Sequence, residues 1–467
     1  MRIFLASTYE LGHQPLGLAS PAAALRAAGH EVRCLDLAVE RLPGAALTEA
    51  ELVGISVPMH TAARLGLALA ARVRALNPGA HIVLYGLYAS SLHTQLLGRG
   101  VVDSVVGGEY EPGLVRLAGA LAAGETAAEG IDGVGADPSF ARGAQIVPDR
   151  RGLPPLHRYA RLSLAPGGGE GSHEGDLRLA GYVEASRGCA HLCRHCPITP
   201  IYGGRLRVAA METALADIDQ LVAMGARHIT FGDPDFFNAV PRSLAITEEM
   251  RRRHADVTFD ATVKVEHLLE HADLLPRLRE LGGLFLTSAF ESTNDAVLAR
   301  LDKGHTRADM ERALTLVRDT GLALRPTWLP FTPWATAEDF LELLEFVERW
   351  GLVESVQPVQ LALRLLVPPG SVLVEALEAD GLLGEYDEDG LTYTWRGVDP
   401  RTETLQAEVA AIVESAAHEH GRRQSTLATF AAVKRAAYRA VTGVDGAMEV
   451  VSQPSAVVPG LTEAWFC

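Results

Sequence analysis

Short apolar runs alternate with Ala-rich helical stretches in two separate blocks of this 467-residue chain, and that alternation limits the folds open to it. In the first block the runs are 2–7, 31–37, 52–58, 81–88 and 103–107, interleaved with helical stretches at 21–28, 62–76 and 112–122. Strands joined this way pair in parallel, because each helix returns the chain to the same end of the sheet. Residues 1–125 are therefore expected to form a doubly wound α/β domain, with any ligand at the carboxyl ends of its strands. The loops at those ends carry His13, Gly17, His60, Gly86 and the run Gly107-Gly108-Glu109-Tyr110-Glu111.

The alternation resumes at 179. Strands are expected at 182–185, 228–231, 257–262, 283–289, 323–329 and 355–361, with helices at 211–224, 241–253, 308–320 and 337–350. Six such units make a partial (β/α)6 barrel of TIM type over 179–369, whose chemistry belongs at the strand ends. Residues 126–178 are rich in Gly, Ala, Asp and Arg, end in a Gly-rich run at 166–171, and read as a linker. Residues 370–467 read as a small helical region followed by a Pro- and Gly-punctuated tail.

Three of the five cysteines fall within eight residues, as Cys189-x3-Cys193-x2-Cys196, just after the first strand of the second block. Three thiolates at this spacing can hold three irons of a four-iron cluster and leave the fourth iron open to a further ligand. The competing reading is a structural zinc site from the three Cys and His191 or His195. Such sites usually pair their ligands as two separated Cys or His pairs, and no second pair exists here. A cluster of three in five cysteines is no disulfide framework, which points to a cytoplasmic chain with reduced thiols. The formal charge of −16 disfavours a general nucleic-acid binder. No apolar stretch reaches membrane-spanning length, and the first six residues read as a strand rather than a signal peptide.

The cysteine spacing and its place after a barrel strand resemble the radical SAM superfamily. The resemblance implies that Cys189, Cys193 and Cys196 hold a 4Fe-4S cluster whose unique iron binds the amino and carboxylate groups of S-adenosylmethionine. One electron from a donor such as flavodoxin or ferredoxin would then release a 5′-deoxyadenosyl radical. It further implies His195 near the adenine, Gly232 and Asp233 at the ammonium, and Ser288 and Glu291 at the ribose. Lys264 and Arg364 are strand-end charges that either face the site or pair structurally.

The N-terminal loops resemble the cobalamin-binding domain found in front of many radical SAM enzymes. That implies a cobalamin site at Gly17, His60, Gly86, Gly108 and Glu109. The Asp-x-His-x-x-Gly motif is absent, so the resemblance implies base-off cobalamin with no protein histidine on cobalt. The ending Leu461 to Cys467 resembles a subgroup whose tails read Cys-Cys-Ala-Glu-Pro or Cys-selenocysteine-Ala-Glu-Pro. The activity implied is methyl transfer to an unactivated carbon of a small-molecule or peptide substrate. Cyclisation or rearrangement with the same cofactors is the alternative, and a non-enzymatic module would follow from the zinc reading. RNA methylthiolation is disfavoured, since the N-terminal block holds only Cys34 where three cysteines are needed.

Overall fold

The computed structural model describes residues 1–42, 44–125, 131, 133–135, 137–140, 146–164, 177–418, 425–445 and 458–463. The Gly-rich run at 166–171 and Cys467 lie outside the described residues.

Five strands build the N-terminal sheet: β1 (Arg2–Ser7), β2 (Glu31–Asp36), β3 (Leu52–Ser56), β4 (His81–Tyr85) and β5 (Ser104–Val106). All neighbours are parallel in the order β2-β1-β3-β4-β5, so the chain reverses its direction of winding at β1 and β3. Side chains alternate across β1 and feed two cores. Ile3 and Leu5 meet Leu18, Ala22 and Leu25 of α1 (Leu16–Ala27), whereas Phe4 and Ala6 meet Leu69, Ala70 and Val73 of α2 (His60–Leu76). Helix α3 (Tyr110–Ala122) packs beside α1. The segment expected as a linker is partly a packed strap: Asp149 N–H donates to the Ala19 carbonyl and its carboxylate pairs with Arg26.

The second sheet runs β13-β12-β11-β10-β7-β6-β16. Its five parallel strands are β7 (Leu177–Val183), β10 (His228–Phe231), β11 (Thr258–Thr262), β12 (Gly283–Glu291) and β13 (Ala323–Trp328). Strands β6 (Arg161–Ser163) and β16 (Gly460–Leu461) add to one edge, each antiparallel to its neighbour. Arg325 on β13, at the opposite edge, donates to the Pro459 carbonyl at 3.1 Å. The two edges therefore approach each other, and the C-terminal strand straps the open side of a curled half-barrel.

Two expectations are corrected. Residues 355–361 form no sixth barrel strand; they lie in short 3-10 turns, Val353–Ser355 and Pro358–Ala362. Pro358 has no N–H to give to a ladder, and the Gln360 side-chain carbonyl accepts instead from Trp328 N–H at 3.2 Å. The C-terminal region is not purely helical. A hairpin of β14 (Leu383–Asp387) and β15 (Thr392–Trp395) precedes the helices Arg401–His418 and Thr426–Thr442.

Candidate active site

The cysteine loop leaves the barrel through β8 (Ser186–Gly188), which pairs with β9 (Leu206–Val208). Gly188 has φ +75°, and a Cβ there would lie 2.3 Å from the Arg205 carbonyl oxygen, so the turn into Cys189 requires glycine. Asn238, beyond β10, clamps the loop: its Nδ2 donates to Cys189 Sγ at 3.4 Å and its Oδ1 accepts from Ala190 N–H at 3.3 Å. Arg194 N–H donates to the Leu301 carbonyl, and the Thr199 hydroxyl to that of Cys193. Cys193 is buried, Cys189 and Cys196 half-buried. Burial pushes the Cys196 thiol up to about 12 and raises that of Cys189. A coordinating metal deprotonates such thiols outright, so this donor set fits a cluster.

Around the loop stand the residues expected to receive S-adenosylmethionine. Glu291 ends β12 at φ +66°, its Oε1 3.2 Å from His195 Nε2 and 3.4 Å from Lys303 Nζ. Burial opposes its charge, yet Lys303 and His195 hold the carboxyl down at about 2. Ser288 Oγ and His195 Nδ1 are buried with no partner among the described residues, which suits a polar ligand. Asp233 is engaged elsewhere. It accepts from Ala185 N–H at 2.9 Å and the Ser186 hydroxyl at 2.5 Å, and burial lifts its carboxyl to about 7. Gly232 leaves room for Tyr182, whose hydroxyl would lie 2.0 Å from a Cβ there. Lys264 faces His191 and Glu266, at the barrel mouth. Arg364 proves structural: it pairs with Glu403 and stacks on Trp395.

The N-terminal domain turns its strand ends to the same region. Four buried side-chain atoms there, Ser7 Oγ, His13 Nε2, His60 Nε2 and Ser90 Oγ, have no partner among the described residues. Gly86 and Gly108 adopt φ +115° and +67°, and a Cβ on Gly107 would strike Ser90 Oγ. Unsatisfied donors beside bare backbone fit a large polar cofactor. Gly17 instead serves packing, with Ser56 Oγ where its Cβ would be. Glu109 accepts from the Tyr202 hydroxyl at 3.1 Å and pairs with Arg187. A cleft of about 630 Å³ between the domains is lined by Leu16, Ser20, Glu109, Glu184, Arg187 and Arg207, among others.

Glu10 enters the same loop cluster. Gly17 N–H donates to its Oε1 at 3.1 Å, but Oε2 is buried and unpartnered, and burial lifts the carboxyl to about 8. A raised folded-state pKa stabilises most below the ordinary value of 4.5 and loses that contribution as pH rises through about 8. Stability is expected to fall over that window by up to about 1.4 kcal/mol per pH unit from this group. Glu10→Gln should flatten the slope in denaturation curves; equal slopes would show that water reaches the carboxyl.

Residues 2–118 match the B12 binding domain family, and residues 183–349 match the radical SAM superfamily. The chain thus carries a B12-binding domain followed by a radical SAM domain. Their cofactors are cobalamin, a 4Fe-4S cluster and S-adenosylmethionine. A ribosomal protein uS12 methylthiotransferase of Porphyromonas gingivalis is 30% identical over 180 residues, 36% of this chain and 40% of that protein. The hopanoid C-3 methylase of Methylococcus capsulatus is 24% identical, covering 72% of this chain and 64% of the methylase. The chain therefore spans less than two thirds of either relative. The solved structure of the cobalamin-dependent S-adenosylmethionine radical enzyme OxsB with aqua-cobalamin superposes with a TM-score of 0.67 at 15% identity, over 94% of this chain and 72% of that one. That likeness is one of fold. Among the described residues no helix is long and apolar enough to cross a membrane.

Of the residues singled out in the sequence, His195 of the cysteine loop and Glu291 meet at 3.2 Å. Asn238, the Arg187 bridge and the grouping of His191, Asp235 and His267 carry no local signal in the sequence, because their partners lie far away along the chain.

Proposed function

We propose that the protein is a methyltransferase acting on an unactivated carbon of a small-molecule or peptide substrate. When bound, cobalamin supplies a transferable methyl group, and the cluster with S-adenosylmethionine supplies a hydrogen-abstracting radical. One observation carries the reading. Arg187, two residues before Cys189, pairs with Glu109 and Glu111, and donates to the Tyr110 hydroxyl at 3.3 Å. This bridge keeps the strand-end loop of the B12-binding domain against the cluster loop, so both cofactor regions can serve one substrate. Burial opposes the Arg187 charge, but Glu111 and its neighbours more than offset it. Similarity to a hopanoid methylase supports the same chemistry. His195, Ser288 and Glu291 would seat S-adenosylmethionine, with Gly232 and Asp233 shaping its surroundings through Tyr182 and Ser186. His60, Gly86 and Gly108 would seat cobalamin, with Gly17 and Glu109 packing and bracing the loops around it. An electron donor of flavodoxin or ferredoxin type would serve as reductant in the cytoplasm.

The test supplies trideuteromethyl S-adenosylmethionine, reductant and host-cell extract to the anaerobically reconstituted enzyme. The expected result is a product heavier by one labelled methyl group, with S-adenosylhomocysteine and deoxyadenosine formed in equal amounts. Turnover that yields deoxyadenosine and an unlabelled product would overturn methyl transfer in favour of cyclisation or rearrangement.

A further inference from the structure

We propose that His191, Asp235 and His267 form a binding site for one divalent transition-metal ion, separate from the cluster. His191 sits inside the cysteine loop, Asp235 follows β10, and His267 lies on the short helix Val265–Glu270 after β11. His191 Nε2 is 3.4 Å and His267 Nδ1 2.7 Å from the same oxygen, Asp235 Oδ2, and the three donor atoms lie within 4.8 Å of one another. All three atoms are buried, and despite these distances none is aligned for a hydrogen bond. Nitrogens and oxygen that crowd together without pointing at one another face a shared space. Ligands held about 2.0–2.2 Å from zinc stand roughly 3–3.6 Å apart, so an ion would open the 2.7 Å pair and draw in the widest one, now within 4.8 Å.

The carboxylate has been prepared for a cation. Its side chain is 1% exposed, and among the described residues its only ionic partners are the two imidazoles. A buried carboxylate without Lys or Arg needs an imidazolium or a bound cation as its positive partner. Its second oxygen, Oδ1, accepts from Phe237 N–H at 3.1 Å, which fixes the aim of Oδ2. On the far side of His191, Nδ1 lies 3.8 Å from Glu266 Oε2 and 3.1 Å from Lys264 Nζ. Here Nδ1 accepts from Lys264. A metal on Nε2 requires Nδ1–H, so on metal binding Lys264 would withdraw onto Glu266, with which it is already paired, and Glu266 Oε2 would accept from Nδ1–H. Two imidazoles and one carboxylate with open positions suit Fe2+ or Zn2+. The open positions lie at the strand ends beside the cluster loop, where they would take an oxygen or nitrogen donor of the substrate.

The test uses the full chain with Cys189, Cys193 and Cys196 all replaced by Ala, so that no cluster forms. Equilibrium dialysis against Zn2+ with elemental analysis should give one ion per chain. His267→Gln and Asp235→Asn should each weaken binding by about tenfold or more; Asp235→Asn keeps the oxygen that caps Phe237, and circular dichroism checks the fold. Zinc absent from the cysteine-free chain, or bound equally after His267→Gln, would overturn the site. Mössbauer spectra of the reconstituted wild type provide a second reading that needs no cysteine variant. A mononuclear ferrous signal beyond the cluster iron, lost in His267→Gln, is expected; its absence from the wild type overturns the site.

Discussion

Asp217→Asn is expected to destabilise the folded chain by about 3–5 kcal/mol, read as a lower denaturation midpoint with an unchanged m-value. Arg150 is completely buried and meets Asp217 through two parallel bonds, Nε to Oδ1 at 2.7 Å and Nη2 to Oδ2 at 2.8 Å. Its remaining donors reach Gln14 Oε1 at 2.9 Å and the Tyr182 carbonyl at 2.8 Å. One guanidinium thus ties the β1–α1 loop, the strap at 146–164, strand β7 and the helix Met211–Ala223. An amide at 217 would keep one acceptor but turn an N–H against the guanidinium, which cannot shed its proton. Breaking a buried pair strands a charge, whereas removing both charges need not. The double variant Arg150→Met with Asp217→Leu should therefore recover most of the loss. A loss below about 1 kcal/mol for Asp217→Asn would mean that water solvates the pair.

Nothing local distinguishes Arg150 from Arg151. The first has no exposed side-chain surface and the second keeps 83% of it. Their difference is set by Asp217, 67 residues away. Asp233 and Asp235 repeat the lesson within one Asp-Pro-Asp turn. The former turns to Ser186, the latter to His191 and His267, and each set of partners lies at least 32 residues away along the chain. What could be read in advance was periodic or clustered. The β/α alternation located all five strands of the N-terminal sheet and five of the barrel, because burial on both faces demands continuous apolar runs. It failed at 355–361, where an equally apolar run holds Pro358 and turns. The cysteines were legible because a cluster imposes its spacing on one loop. The proposed seat for S-adenosylmethionine draws on β10, β12 and their loops together, and no single stretch of sequence records that assembly.

Cys193→Ala is expected to abolish the cluster and to lower deoxyadenosine formation to below about one hundredth of wild type. Cys193 is a buried residue where Cys189 and Cys196 are half-buried. Cys196 N–H and the Thr199 hydroxyl hold its carbonyl at 3.2 and 2.8 Å, and the buried Lys303 ammonium stands near both Cys193 and Cys196. Burial works against that ammonium, but Glu291 and the two cysteines favour it, so its pKa is raised and it remains charged to balance thiolates. Without Cys193 only two thiolates remain for four irons, and Lys303 loses part of its counter-charge. Cys34→Ala is the matched control. Cys34 lies on β2, away from the loop, and burial lifts its thiol to about 11, so its loss should leave iron, sulfide and deoxyadenosine unchanged. Iron, acid-labile sulfide and deoxyadenosine measured together separate the outcomes. Wild-type iron with full deoxyadenosine in Cys193→Ala would remove the cluster from this loop. Zinc without sulfide in the wild type would return the loop to a structural role.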